Sequence, residues 1–200
     1  MASGEPRSAQ DLPVEGHGGT ARLSVCSAAV LVGGASRRMG RDKAVLEVDG
    51  RPMALRVVEA LGRAGVQDVL TVGGSDRGFG LAHVSDRYPG EGPLGGILTA
   101  FEGCRTELVF VVACDLPWIT EAVFASLMDH LGANDVALAR TDHPEPMCGL
   151  WRVSTCRGVI ERAFAGGERA VHRVLTGLRV AEATVDAAAL RNVNTPGDLD

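Results

Sequence analysis

Lys43 is the only lysine among the 20 basic residues of this 200-residue chain. It ends the run Gly33-Gly34-Ala35-Ser36-Arg37-Arg38-Met39-Gly40-Arg41-Asp42-Lys43. In a chain that otherwise uses arginine, a lone lysine either marks a place for a compact ammonium that a planar guanidinium does not replace or stands there by chance. Paired glycines let backbone N–H groups approach a phosphate or a base edge without Cβ interference. Arg37, Arg38, Arg41 and Lys43 then supply local positive charge in a protein of net charge −5. Together these residues suit a polyphosphate. The run is not a Walker loop, because Lys43 follows Asp42 and precedes Ala44 rather than Ser or Thr. Nor does it keep the G-x-G-x-x-G spacing of a dinucleotide fingerprint. The plain alternative is a solvated basic loop.

A second set of residues complements the first. Asp115, in Cys114-Asp115-Leu116-Pro117, follows the apolar run Leu108–Ala113. A carboxylate leaving a strand there suits Mg²⁺, which takes one or two carboxylates and completes its shell with phosphate oxygens and water. The alternative is an aspartate that caps the turn before Thr120. Cys114 could be a nucleophile, but no histidine is placed to activate it, so a buried thiol is the better reading. Asp86 to Gly96 is a turn-rich stretch leading into a helix start without bulky side chains, suited to an anion, to a ribose or simply to a tight link. Asn192-Val193-Asn194 puts two amides on one side if extended, or else caps the turn before Pro196.

Composition excludes several classes. An acidic chain lacks a general attraction to nucleic acid or to an anionic membrane surface. The five cysteines include no C-x-x-C pair and the five histidines no H-x-x-x-H pair. They therefore read as free thiols of a reducing cytoplasm rather than a disulfide frame or a zinc site. No apolar run reaches the ~18 residues of a membrane span, and the first twenty residues lack a signal peptide's apolar stretch.

The elements that must position these groups alternate at βα spacing. Residues 1–24, rich in Gly, Pro and Ser, read as a disordered leader, and 25–200 as one domain. Strands are expected over Ala28–Val32, Val69–Val72, Leu81–Val84, Leu108–Ala113, Asp135–Ala139, Met147–Trp151 and Val180–Val185. Helices are expected over Pro52–Ala64, from Pro93, over Ser154–Ala165 and over Glu168–Leu175. Another should run from a Thr120 cap to Leu131, with Val123, Phe124, Leu127, Met128 and Leu131 inward. The fold class is α/β, a mainly parallel sheet with helices on both faces. Ligands in such sheets sit at the carboxyl ends of the strands.

The string from Leu31 to Lys43, LVGGASRRMGRDK, closely resembles the signature of the molybdenum cofactor guanylyltransferase (MobA-type) family, L-A-G-G-x-S-x-R-M-G-x-D-K. The likeness continues through G-P-L-G-G-I from Gly92, C-D-L-P from Cys114, E-P-M-C-G-L-W from Glu145, A-G-G-E-R-A from Ala165 and N-V-N-T-P from Asn192. It implies a Rossmann-like nucleotidyltransferase fold that transfers GMP from GTP to the terminal phosphate of molybdopterin, releasing pyrophosphate. It implies that Leu31, Val32, Gly33 and Gly34 hold the nucleotide with Asp86, that Lys43 meets phosphate, and that Asp115 binds Mg²⁺ and nucleotide. Arg38, Lys43 and Asp115 are then the catalytic candidates, and Asn192 and Asn194 lie near the pterin. Partners would be GTP, molybdopterin or molybdenum cofactor, and proteins that deliver the cofactor or mature molybdoenzymes.

Two departures stand out. Val32 replaces the usual alanine, and the strand after Asp68 ends Val72-Gly73-Gly74, without the asparagine some members use for the nucleotide. Relatives using other nucleotides carry L-A-A-G-x-G, so Gly33-Gly34 with Ser36 favours GTP. A CTP-dependent pterin cytidylyltransferase, another small-molecule nucleotidyltransferase and a non-catalytic nucleotide- or cofactor-binding module remain the alternatives.

Overall fold

The computed structural model describes residues 22–33, 42–194 and 196–199. A seven-stranded sheet runs β5-β4-β1-β6-β8-β7-β9, with β1 Ser27–Leu31, β4 Asp68–Val72, β5 Ala82–Val84, β6 Leu108–Ala113, β7 Val136–Arg140, β8 Pro144–Arg152 and β9 Val180–Thr184. β5, β4, β1 and β6 are mutually parallel, as are β7 and β9. β8 alone runs against its neighbours β6 and β7. The expected strand over Met147–Trp151 therefore exists but is antiparallel, one arm of a hairpin slotted between β6 and β7.

The helices are α1 Met53–Ala64, α2 Pro93–Gly103, α3 Glu121–Leu131, α4 Val153–Ala165 and α5 Val171–Leu175. Alternation along the parallel strands assigns them to the two faces. Ala28, Val30, Phe110 and Val112 point to one core, shared with α1 and α3, where Phe110 and Phe124 meet edge to face with centroids 5.4 Å apart. Ala29, Val109 and Val111 point to the other, with Leu94 and Ile97 of α2, Ile160 of α4 and Val171 of α5. Being covered on both sides explains why β1 and β6 read as unbroken apolar runs.

Most helix ends follow local chemistry. α1 stops at Gly65, whose φ of +102° is left-handed and whose N–H bonds back to Leu61 and Gly62 carbonyls. The inward set of α3 is the predicted one, Val123, Phe124, Leu127, Met128 and Leu131. Two expectations need correction. Thr120 holds the N-cap position of α3, but its side chain makes no capping bond. The helix expected from Glu168 begins only at Val171, because the Glu168 carboxylate accepts from the N–H groups of Arg169 and Ala170 and closes a turn there. Leu23, which composition assigned to the leader, is buried in the core; residues 1–21 of that leader lie outside the described residues.

An unforeseen feature is the small hairpin of β2 Glu47–Val48 and β3 Arg51–Pro52, turned by Asp49-Gly50 with φ of +50° and +72°. Its Asp-Gly pair is the usual sequence for such a turn.

Candidate functional site

β1 lies between β4 and β6, and the chain reaches these neighbours by crossovers in opposite directions. At such a reversal the loops diverge and leave a crevice beyond the carboxyl ends of the strands. A cleft of about 650 Å³ opens at this edge. Leu31, Val32, Gly33, Lys43, Asp86 and Asp115 line it together with Val72, Gly73, Gly74, Pro89, Gly90 and Met147.

The floor is made by backbone. The N–H groups of Val32 and Gly33 both donate to the Val72 carbonyl, at 2.9 and 3.2 Å, and Gly73 N–H donates to Val84 O at 2.9 Å. A Cβ on Gly73 would stand 2.8 Å from Gly33 Cα and 2.9 Å from its nitrogen, and Gly73 has a φ of +94°. The place where an asparagine was missed is thus one of main chain against main chain, with no room for a side chain.

Lys43 opens a 3₁₀ turn, Lys43–Val45, whose start is capped by Asp42 Oδ1 accepting from Ala44 N–H at 3.0 Å. From there its ammonium donates to Asn194 Oδ1 at 2.8 Å and lies 3.4 Å from Asp115 Oδ2. The Lys43 and Asp115 side chains are 19% and 25% exposed, so the pair faces the cleft without being sealed from it. Val193 is fully buried, and its N–H donates to Asp115 O at 3.0 Å, which draws the C-terminal stretch against the end of β6. Three motifs far apart in sequence meet here.

Asp86 hangs over the other side. Its Oδ1 accepts from Tyr88 N–H at 2.9 Å and lies 3.3 Å from the Thr99 hydroxyl, a buried group of α2 that donates to Gly95 O at 2.9 Å. Gly95 is required by contact, since a Cβ there would sit 2.8 Å from that of Tyr88. The G-P-L-G-G stretch therefore serves to press α2 against the loop that carries Asp86.

Cys114 is buried, and desolvation, assisted by the neighbouring Asp115 charge, pushes its thiol up to about 12. A thiol held neutral is no nucleophile near pH 7. All five cysteines are free and buried.

The structure thus brings Leu31, Val32, Gly33, Lys43, Asp86 and Asp115 to one cleft, with Asn194 at its margin through Lys43. Asn192 is half-buried in the C-terminal stretch and does not stand among the lining residues. Gly34, Ser36 and Arg38 lie outside the described residues. Sequence reasoning missed Arg77, which has no local sequence signal. Met147 stood inside the E-P-M-C-G-L-W stretch without a role, and it reaches the cleft because β8 is inserted beside β6.

Fold and site define a nucleotidyltransferase of the α/β type. The family model for the MobA-like NTP transferase domain matches residues 28–184, and the chain belongs to that family. It is 33% identical over 180 residues to a protein of Pelotomaculum thermopropionicum named "Probable molybdenum cofactor guanylyltransferase", covering 85% of this chain and 88% of the relative. A protein of the same name from Methanothermobacter thermautotrophicus is 31% identical, with 86% of this chain and 96% of the relative covered. Among solved structures, the molybdopterin-guanine dinucleotide biosynthesis protein A of Archaeoglobus fulgidus superposes with a TM-score of 0.73 at 25% identity, covering 86% and 94% of the two chains.

Proposed function

We propose that this protein transfers GMP from GTP to the terminal phosphate of molybdopterin or of molybdenum cofactor, with Mg²⁺, and releases pyrophosphate. The observation that carries this reading is the convergence of Lys43, Asp115 and Asn194 within hydrogen-bonding reach at the rim of a nucleotide-sized cleft. The names of the relatives supply the choice of guanine and pterin.

In this reaction a phosphate oxygen of the pterin attacks the α-phosphorus of GTP. A new P–O bond forms, the bond to the β-phosphate bridging oxygen breaks, and its electron pair leaves with pyrophosphate. A phosphate monoester with a second pKa near ~6 is already ionised at pH 7. No side chain has to remove a proton, so a site without a histidine is sufficient. The barrier lies in bringing two anions together and in charge moving onto the leaving group. Lys43, Arg38 and the backbone amide of Gly34 would offset both, the fixed-donor kind of help that phosphoryl transfer needs; the Gly33 N–H, expected to join them, is already given to the Val72 carbonyl.

Among the described residues no three His, Cys, Asp or Glu side chains converge as a metal cage. Asp115 fits the other arrangement, a single cleft-facing carboxylate with one long 3.4 Å contact to Lys43, completed by triphosphate oxygens and water. Asp115 would hold the ion. A divalent ion held there would supply positive charge to the phosphate oxygens, and Lys43 would contact the phosphates beside it.

Asp86 and the Leu31–Gly33 backbone take the nucleoside end, and Asn192 and Asn194 the pterin side. Five neutral thiols suit a reducing cytoplasm, and no described helix is long and apolar enough to cross a membrane. Proteins that hand over the cofactor or mature molybdoenzymes would meet the open rim of the cleft. The test is isothermal titration of GTP, CTP, ATP and UTP with Mg²⁺ into wild type and Asp115→Ala. Selective GTP binding, weakened in the variant, is expected; preference for CTP would move the protein to a cytidylyl reaction.

A further inference from the structure

Arg77 does not line the cleft, yet its guanidinium holds two backbone segments that do, at Val32 and Gly73, and the carboxylate of Asp42 beside a third, Lys43. The side chain is only 9% exposed. Its Nη2 donates to Val32 O at 2.9 Å, Nε to Asp42 Oδ2 at 2.6 Å, and Nη1 to Ser75 O at 2.8 Å and Gly73 O at 3.3 Å. Val32 stands at the end of β1, Asp42 directly before Lys43, and Gly73 and Ser75 just past β4. One planar group therefore bolts together both ends of the glycine–arginine loop and the neighbouring strand end. Gly74 is cut away to admit it, since a Cβ there would stand 2.7 Å from Nη2.

A cation withdrawn from water, with one carboxylate and three carbonyls for company, is a poor device for stability alone, because desolvation offsets much of the attraction. It is a good device for geometry. The fork of a guanidinium fixes several acceptors at once, at set angles, which the single point charge of a lysine does not.

We propose that Arg77 is a positioning residue for the nucleotide, setting the Val32–Gly33 backbone and, through Asp42, the ammonium of Lys43. It rests on the nucleotidyl-transfer reading but not on the identity of the base. In this chain Arg77 organises the strand end where the asparagine is absent, from behind the backbone rather than by touching the ligand.

The test uses the full chain and three variants, Arg77→Ala, Arg77→Lys and Asp42→Asn. Each is titrated with GTP and Mg²⁺, melted, and assayed for turnover. Both Arg77 variants should bind GTP roughly tenfold more weakly or worse, the scale of a lost charge-assisted hydrogen bond. KM for GTP should rise while KM for the pterin phosphate holds, a split that general loss of folded protein would not produce. Asp42→Asn keeps the side chain's shape and its cap on Ala44, and should weaken GTP severalfold with a melting temperature near that of wild type. It carries the test if Arg77→Ala does not fold.

Folded Arg77→Lys and Asp42→Asn proteins that bind GTP within about twofold of wild type would overturn the proposal. If wild type binds a different triphosphate, the guanylyl reading falls, and the same variants are read with that nucleotide. A wild type that binds none of the four overturns both.

Discussion

The N–H of Val193 donates to the carbonyl oxygen of Asp115 at 3.0 Å, so the Asn-Val-Asn stretch is latched to the residue that leaves β6. The latch is sunk into a small apolar cluster, where fully buried Val193 packs with Val48 and Met53 and against Trp118. It brings Asn194 to within 2.8 Å of the Lys43 ammonium, with the Asn194 N–H held in turn by Asp198 Oδ2 at 2.7 Å. The hairpin of β2 and β3 supplies Val48 and so forms part of the seat of this tail.

Val193→Ala removes two methyl groups from that seat and should cost about 1–3 kcal/mol in unfolding free energy, by the scale of buried large-to-small changes. Denaturant melts give this number. Turnover should fall further than the fraction folded accounts for, since Asn194 loses its fixed position beside Lys43. A variant as active as wild type would show that the latch does not serve the site.

Lys43→Ala should lower kcat by ~10²–10³, the typical loss when one preorganised donor to a transition state is removed. Lys43→Arg should recover little of this, because the broader guanidinium does not fit between Asp115 and Asn194 as the ammonium does. Steady-state assays of both variants check it, and near-normal turnover of Lys43→Ala would contradict the role.

Gly73→Ala and Gly50→Ala separate backbone strain from contact. Both positions have positive φ, +94° and +72°. Nothing lies within 4 Å of a Cβ at Gly50, whereas one at Gly73 meets Gly33 main chain at 2.8 Å. Gly50→Ala should lose on the order of 1 kcal/mol of stability and leave nucleotide binding intact. Gly73→Ala should lose more and bind GTP measurably less tightly, as read by thermal melts and titration.

The thiols make the fold alkali-sensitive. From an ordinary value of 9.0, burial pushes Cys26 and Cys156 up to about 11 and Cys104 and Cys114 up to about 12, and raises Cys148 as well. A pKa raised in the folded state stabilises the protein below the unfolded thiol value, and that stability drains away as pH climbs from about 9 towards 12. The melting temperature should therefore drop between pH 8 and pH 10. Iodoacetamide at pH 8 should label native protein slowly and unfolded protein fast; rapid labelling of Cys114 in the native state would contradict its burial.

How much of this was legible in the sequence differs from element to element. β1 and β6 announced themselves as apolar runs because both their faces are covered, and α3 by its stripe and its closing Gly132. The direction of β8 was not legible: its composition is that of any buried strand, and only the pairing with β6 and β7 sets it antiparallel. Glu168 was not legible as a turn: its carboxylate closes one on the N–H groups of Arg169 and Ala170, and the helix starts only at Val171. At the site, Lys43 and Asp115 were legible from residue type and loop position, and Asp86 from the family resemblance. Arg77 was not, since it acts on backbone carbonyls 45 residues away at Val32 and on a carboxylate 35 away at Asp42. No local spacing encodes such partners.

The central claim is that this cleft passes GMP from GTP to a pterin phosphate with Asp115 taking part. The most direct measurement is to incubate α-labelled GTP, Mg²⁺ and the phosphorylated pterin with wild type and with Asp115→Ala, and to follow label and pyrophosphate together. The account predicts label in a pterin dinucleotide, one pyrophosphate released per dinucleotide formed, GTP favoured over CTP, and a loss of ~10²–10³ in the variant. Label entering the product from CTP in preference, or an undiminished rate in Asp115→Ala, would contradict it.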